Sequence, residues 1–285
     1  TAALIENGIT QTVTCLAKAL EYSAAAEKLG RTLKIHIKLD TGMSRLGFLV
    51  DGAHFDEGVD NIIRSCTLPG LEAEGIYTHF AVSDEPGADN EAYTRAQFAL
   101  FCRVTEEIER RAGIGFAIRH CANSGAVVNY PEMALDMVRP GLLLYGYGDT
   151  SGRLGLVPCM RLVTTVSTIK FYEPGTSVSY GRRYVTDRRT RMGVLGIGYA
   201  DGLPRLISNK CAFYAPGGFA PQRGSICMDM CMVDLTQLPQ ADVGSEVEIF
   251  GRRSDIYRLS AAAQTIPYEL LCAVSKRVPR VYKDF

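Results

Sequence analysis

The 285 residues lack most of the marks of a nucleic-acid or lipid-surface protein. Their 31 basic and 31 acidic side chains cancel, so no overall field draws in a polyanion. No run approaches the roughly 18 consecutive apolar residues that a membrane-crossing helix needs, and no basic, apolar and cleavage-site succession marks a secretory leader. Histidine is scarce, at four, and the nine cysteines are scattered. Cys227 and Cys231 are the closest pair, yet none has CxxC spacing. That argues against a zinc or redox framework and for reduced thiols in a cytosolic compartment. Internal repeats and low-complexity tails are also missing. We therefore expect no metal, no nucleic acid, no membrane contact from this segment and a cytoplasmic location. What remains is ordinary for a folded protein, at 47% hydrophobic and 22% charged, long enough for one large domain or two medium ones.

Residues 1–150 alternate short apolar strands with helical patterns, as repeated βα units do. A strand over 10–14 leads into a helix with Leu16, Leu20 and Ala24 on one face. The next strand, 33–39, sets Leu33, Ile35, Ile37 and Leu39 against Lys34, His36 and Lys38. In a closed barrel its apolar face meets the outer helices and its polar face points inward, with Lys38 near the C-terminal rim. Helices follow over 51–64, carrying Phe55, Val59 and Ile62, and over 90–111, burying Phe98, Phe101, Val104 and Ile108. Strands over 74–80, 116–121 and 135–140 complete five candidates. An eight-stranded barrel needs about 250 residues, so the expected fold class is α/β, a (β/α)8 TIM barrel with only its later strands present. After about residue 150 the helical periodicity gives way to short β-rich runs at 158–171, 177–184, 191–197, 211–214, 223–234 and 244–250. Residues 151–285 therefore read as a mostly β domain, closed by a short helix over 259–264 and a final strand over 269–274.

Candidate chemistry gathers where strands end. The loop Asp40-Thr41-Gly42-Met43-Ser44-Arg45 follows the inward-polar strand, where barrels place catalytic groups. Arg45 there suits a substrate carboxylate or a cofactor oxygen, or is a surface Arg on a solvated turn. His79 and His120 close successive strands, either relaying hydrogen bonds or satisfied as structural histidines. In His120-Cys121-Ala122-Asn123-Ser124-Gly125, a helix start with the Ser124 Oγ makes a phosphate seat; the alternative is a plain N-cap by Asn123 or Ser124, and the two can coexist. Arg139-Pro140-Gly141 is a rim Arg beside that seat, or an exit turn with a salt bridge. Farther on, the small-residue run 196–202 presents the Tyr199 hydroxyl without a dinucleotide fingerprint, because no βαβ unit surrounds it. Arg182, Arg183, Arg188, Arg189 and Arg191 surround Tyr184 and read as a solvated hairpin rather than a nucleic-acid patch.

Taken together, KLDTGMSRLG at 38–47, YTHF at 77–80, HCANSGA at 120–126, MVRPGLLLYG at 137–146, VSYG at 178–181, GYADGLPR at 198–205, SICMDM at 225–230, TIPYE at 265–269 and RVPRVY at 277–282 resemble bacterial alanine racemases. The resemblance spans essentially the whole chain and implies a pyridoxal 5′-phosphate enzyme with a barrel and a C-terminal β domain, interconverting L- and D-alanine for peptidoglycan. It implies that Ser124, Asn123, Gly141, Leu142 and Tyr268 hold the cofactor, its phosphate above all, and that Arg139 faces the pyridine nitrogen. His79 would orient the catalytic Tyr199, and Arg45 would meet the cofactor phenolic oxygen and the substrate carboxylate. Lys38 would be carbamylated to steady Arg45. Tyr199, Met228 and Asp229 would act across a homodimer with shared active sites.

The sequence also departs from that family. Met230 stands where Gln is frequent and Arg183 where Thr is common. None of Lys18, Lys28, Lys34, Lys38, Lys170, Lys210, Lys276 and Lys283 sits in a setting like VKANAYGHG, the family's cofactor-lysine segment. With a start at Thr1 and no initiator Met, the expectation is a chain lacking its N-terminal portion and unable to racemise alone. The other readings are the serine racemase domain of a vancomycin-resistance-type membrane protein and a non-catalytic cofactor-binding barrel. Arg139, in place of an acid, argues against a decarboxylase of the same barrel class, and the bulky Tyr268 leans towards alanine.

Overall fold

The computed structural model describes residues 1–149 and 152–283. The chain divides into two compact units, Thr1–Leu156 and Val157–Phe285.

In the first unit, after a short helix α1 (Ala2–Glu6), strands β1 (Gln11–Val13), β2 (Leu33–Asp40), β4 (Leu71–Tyr77) and β5 (Ile118–His120) lie side by side in that order, all parallel, with β3 (Phe48–Leu49) paired to the end of β2. Helices α2 (Leu16–Lys28), α3 (Phe55–Cys66) and α4 (Ala88–Ala112) connect successive strands. The alternation in β2 has the expected consequence. Leu33, Ile35, Ile37 and Leu39 are at most 1% exposed and share one core with Val59, Ile62, Phe101, Val104 and Ile108. Phe98 instead packs on a second cluster with Phe80, Cys121 and Met133.

Three expectations change in this unit. Helix α2 buries Ala19, Ser23 and Ala26, leaving Leu20 at 40% exposed and Ala24 in solvent. Small residues let the helix lie close to its neighbours, and the Ser23 hydroxyl donates to the Pro69 carbonyl (2.7 Å). The strand expected over 74–80 runs three residues earlier, at Leu71–Tyr77, which places His79 in the loop beyond it. Residues 135–140 form no strand. Leu135 has φ 55°, which breaks extended pairing, and only one parallel bridge survives, between Asn123 and Arg139.

The second unit is a closed antiparallel barrel in the order β10-β11-β12-β9-β6-β13, formed by β6 (Leu162–Tyr172), β9 (Thr190–Leu195), β10 (Ala212–Ala215), β11 (Gly218–Arg223), β12 (Cys231–Asp234) and β13 (Glu246–Phe250). A separate hairpin joins β7 (Ser177–Val178) to β8 (Tyr184–Val185). Around it, Arg188, Arg189 and Arg191 pair with Asp234, Glu173 and Asp242, in keeping with a solvated, self-paired surface. Helix α6 (Ile256–Ala262) precedes α7 (Pro267–Ala273). The strand expected over 269–274 is therefore a helix. Pro267 at its first position presets φ and needs no donor there, Glu269 lies in the first turn beside the Thr265 hydroxyl, and Leu270 and Val274 supply a buried i, i+4 pair.

Candidate functional site

In the first unit the parallel strands and the segments beside their ends line a cavity of about 410 Å³, formed by Thr10, Thr12, His36, Arg45, Tyr77, His79, His120 and Arg139. The loop after β2 is closed by the Asp40 carboxylate, whose Oδ1 accepts from the backbone of Gly42 (3.1 Å) and Ser44 (2.9 Å). Gly47 returns the chain at φ 124°, where a Cβ would lie 2.7 Å from the Asp40 nitrogen, so only glycine fits. That loop carries Arg45 to the cavity, with no hydrogen-bond partner for its guanidinium among the described residues.

Arg139 is the centre of the cluster. Its backbone is held by a bond to the Ala122 carbonyl (2.9 Å). Its guanidinium donates to His120 Nδ1 (2.5 Å), to the carbonyls of Thr78 (2.8 Å) and Cys121 (3.2 Å), and more weakly to His79 Nδ1 (3.4 Å). It also lies over the Tyr77 ring. Every partner is neutral, and no carboxylate pairs with Arg139 among the described residues. A guanidinium has only donors, so both imidazoles must offer it a lone pair. The His120 proton is thereby placed on Nε2, which faces His36 Nδ1 at 2.9 Å, and the buried His36 Nε2 in turn faces Glu74 at 3.6 Å. Burial, then Arg139 and His36, push His120 down to about 3. Burial, then Arg139, Arg45 and Lys38, push His79 down to about 4. Both rings are therefore neutral near pH 7.

Lys38 is buried, with Nζ donating to the Leu39 (2.5 Å) and Leu46 (3.2 Å) carbonyls. Burial lowers it to about 8, against an opposing pull from Asp40 and with help from Arg139 and Arg45. At the start of α5 (Ser124–Asn129), the two readings of the helix start separate. Asn123 Oδ1 accepts from the Ala126 backbone (3.0 Å) and from the Ser83 hydroxyl (2.7 Å), so this side chain is spent on capping. The Ser124 Oγ is buried with no hydrogen-bond partner among the described residues. Gly141 opens the 3-10 turn Leu142–Tyr145, in which Leu142 is buried. Thr12 and Tyr77, whose hydroxyls lie 3.0 Å apart, were not singled out from sequence, and the inward-facing His36 was given no role. His36 was detectable from the alternation of β2, which aims it the same way as Lys38.

The second unit carries the other expected residues. Tyr199 heads the 3-10 turn Tyr199–Asp201 and is 43% exposed. The backbone nitrogens of Tyr199 and Ala200 donate to the carbonyls of Cys227 and Met228, each at 3.0 Å. A Cβ on Gly198 would approach both carbonyl oxygens to 2.3 Å, so glycine is what lets these segments touch. Met228 and Asp229 line a cavity of about 620 Å³ with Lys170, Tyr172, Tyr180, Met192, Met230 and others. Tyr268 lies in the first turn of α7, partly exposed. The expected residues are thus shared between the units: Lys38, Arg45, His79, Asn123, Ser124, Arg139, Gly141 and Leu142 in one, Tyr199, Met228, Asp229 and Tyr268 in the other. Among the described residues no cluster of three His, Cys, Asp or Glu could hold a metal, and no helix is long and apolar enough to cross a membrane.

Comparison with known proteins bears on both units. A family model described as alanine racemase, N-terminal domain, matches residues 1–149, and one described as alanine racemase, C-terminal domain, matches 159–282. The alanine racemase of Clostridium perfringens strain SM101 is 41% identical over 98% of this chain and 72% of its own length. That of Desulforamulus reducens is 41% identical over 98% and 74%. Among solved structures, alanine racemase of Clostridium difficile 630 superposes with a TM-score of 0.89 at 36% identity, covering 99% of this chain and 72% of that one. Alanine racemase from Bartonella henselae with covalently bound pyridoxal phosphate gives 0.84 at 28% identity, covering 99% and 75%. Both family domains are represented in the chain, which spans 72% to 75% of the length of these relatives. The fold is that of a TIM-type barrel domain, represented in the first unit by an open parallel sheet, followed by a C-terminal β domain, and the chain belongs to the alanine racemase family.

Proposed function

We propose that the protein interconverts L- and D-alanine with pyridoxal 5′-phosphate as cofactor, in the cytoplasm and in supply of peptidoglycan synthesis. The observation that carries this reading is Arg139, a half-buried guanidinium whose partners among the described residues are all neutral, at the C-terminal ends of the parallel strands. A decarboxylase of this barrel class would want an acid there, to protonate the pyridine nitrogen. The residues present also fit the cofactor's other end. A buried hydroxyl without a partner is costly, and the Ser124 Oγ at the head of α5 is one that a phosphate satisfies. Ser124, the backbone at Gly141 and Leu142, and Tyr268 would hold that phosphate, while Asn123 serves indirectly by fixing the helix start. When bound, the cofactor supplies an electron-withdrawing ring that acidifies the substrate Cα–H.

The chain's own residues supply the rest. Arg139 would donate to the pyridine nitrogen of the bound cofactor and, giving up no proton, would keep the ring a modest electron sink. His79, neutral and facing Arg139, would orient the phenol of Tyr199 supplied across the homodimer. Arg45 offers its fork to the substrate carboxylate. Lys38, as a carbamate, would replace a third cation beside Arg45 and Arg139 with an anion. Tyr199 takes and returns the proton on one face of the substrate; with an ordinary pKa near 10, it depends on neighbouring positive charge to act near neutrality. No segment like VKANAYGHG occurs among the 285 residues, so the base for the other face is not assigned to a residue here. Met228 and Asp229 would shape the pocket across a homodimer. The exposure of Tyr180, Met228 and Met230 around the second unit's cavity supports a covering partner.

The test is α-hydrogen exchange in deuterated solvent, followed from L-alanine and D-alanine separately, with serine as a second substrate. Replacing Tyr199 with Phe should slow abstraction from one enantiomer more directly than from the other. Exchange from both at the unmodified rate would remove Tyr199 from the chemistry.

A further inference from the structure

Glu74 owes its place to an irregularity in the parallel sheet. Ile35 pairs with Ala73 and His36 with Gly75, so Glu74 is an extra residue that no position of β2 opposes. Leu71 and Ala73 pack on the core before this bulge and Ile76 after it. Glu74 and Gly75, in succession, therefore turn to the face of His36, which strict alternation would forbid. Glycine is needed at the second position. A Cβ on Gly75 would lie 2.6 Å from His36 Nε2 and 2.7 Å from the Ile118 carbonyl oxygen.

The bulged carboxylate ends a chain of contacts that begins at Arg139. Arg139 needs the His120 Nδ1 lone pair, which leaves the His120 proton on Nε2, 2.9 Å from His36 Nδ1. His36 Nδ1 must then accept, and its own proton goes to Nε2. That atom is buried and has no hydrogen-bond partner among the described residues, and the Glu74 carboxylate faces it at 3.6 Å. Glu74 is held from the other side by Lys34 Nζ (2.5 Å) and by the Thr10 hydroxyl (3.2 Å). The bond from Lys34 keeps its carboxyl below the ordinary value, so it is an anion near neutrality. Tyr77 stacks on the His120 ring, with 4.6 Å between centroids, and steadies the middle of the chain. In an imidazole the proton on one nitrogen is placed by what the other nitrogen meets. An anion at the His36 end therefore favours the tautomers that Arg139 requires at the other.

We propose that Glu74 is a positioning residue for Arg139, acting through His36 and His120 to select the imidazole tautomers that hold the guanidinium in place. The proposal rests on the reading of Arg139 as the group that faces the pyridine nitrogen, and its test separates the two. Glu74→Leu, Glu74→Gln and Arg139→Lys are compared with the unaltered chain. Without cofactor, nitrogen NMR follows the solvent exchange of the His120 Nε2 proton and of the Arg139 guanidinium protons. With pyridoxal 5′-phosphate, the absorption maximum of the bound cofactor is read, with kcat and KM for each enantiomer of alanine. Glu74→Leu leaves a buried N–H without its acceptor, so both sets of protons should exchange about tenfold faster. Loosening the guanidinium should shift the cofactor absorption and lower kcat on the order of tenfold in both directions. KM should change little, because Arg45 holds the substrate carboxylate. Glu74→Gln, whose Oε1 still accepts, should restore most of the protection and most of kcat. Unchanged proton exchange in Glu74→Leu overturns the positioning role, whatever Arg139→Lys does. A loss that Glu74→Gln fails to restore, with Tm lowered alike in both, overturns it in favour of a structural charge paired with Lys34. Absorption and kcat untouched by Arg139→Lys remove the Arg139 assignment and this proposal with it. His36→Phe breaks the same chain should Glu74→Leu fail to fold: the same faster exchange and lower kcat are expected, and their absence counts against the proposal.

Discussion

Acidification should destabilise the first unit well before its carboxylates titrate, because its buried histidines are held neutral. His120 has an ordinary value of 6.5 and falls to about 3 in the fold, and its side chain is nearly inaccessible, at 3% exposed. Below pH 6.5 the unfolded chain binds a proton at this site that the folded chain refuses. Stability is therefore intact above about 6.5 and drains as pH falls towards the folded value. At about 1.4 kcal/mol per pH unit, this one ring costs about 2 kcal/mol at pH 5 and at most about 5 kcal/mol near pH 3. His79, pushed to about 4, adds a smaller share because it is partly exposed, and the two contributions are not additive since both rings face Arg139. A loss of 2 kcal/mol is a large fraction of the roughly 5–15 kcal/mol by which a domain is stable. Urea unfolding at pH 7.5 and pH 5, read by amide exchange of peptides covering β2 and β5, measures the difference. Nitrogen NMR of the imidazoles should show His120 protonated at Nε2 alone throughout. His120→Gln should abolish most of the drop between the two pH values. A folded-state midpoint for His120 near 6.5, or an undiminished drop in His120→Gln, would refute the reasoning.

Two further outcomes follow from single groups. Removing the orphaned hydroxyl with Ser124→Ala should leave the cofactor-free protein as stable or slightly more so, while weakening pyridoxal 5′-phosphate binding by about 1–2 kcal/mol, or about 5- to 30-fold; equal affinity in a fluorescence titration would place the phosphate elsewhere. With Lys38 lowered to about 8, about half of it is the neutral, nucleophilic amine at pH 8, so labelled bicarbonate should give a carbamate carbon signal that Lys38→Arg abolishes. A protein showing no such signal at pH 8 would exclude the modification.

Much of the first unit was legible because its strands announce themselves by period. The two-residue alternation of β2 placed Leu33 to Leu39 in the core and aimed His36 and Lys38 at the site, a local rule that tertiary packing did not alter. The same kind of reading failed for α2, where Leu20 fits a helical stripe but the close approach of its neighbours favours Ala19, Ser23 and Ala26. It failed for α7 because a short apolar run such as Tyr268–Cys272 suits a strand or a helix equally, and Pro267 decided for the helix. Residues 135–140 read as a strand by composition, yet the left-handed Leu135 left only the Arg139 bridge.

What the sequence by itself determined was the set of chemical groups and the elements that carry them: Arg45 after β2, His120 at the end of a parallel strand and His79 near the end of another, Ser124 at a helix start, Tyr199 on a glycine-framed turn. These follow from spacing and turn chemistry, which are local. Only the tertiary structure decided which groups meet. It joined His36 to His120 and Arg139 across three elements, spent Asn123 on a cap while leaving Ser124 free, and brought Arg277 between Asp201 and Asp229 from 76 and 48 residues away. Contacts between residues so far apart are set by packing, and no periodicity in the chain records them.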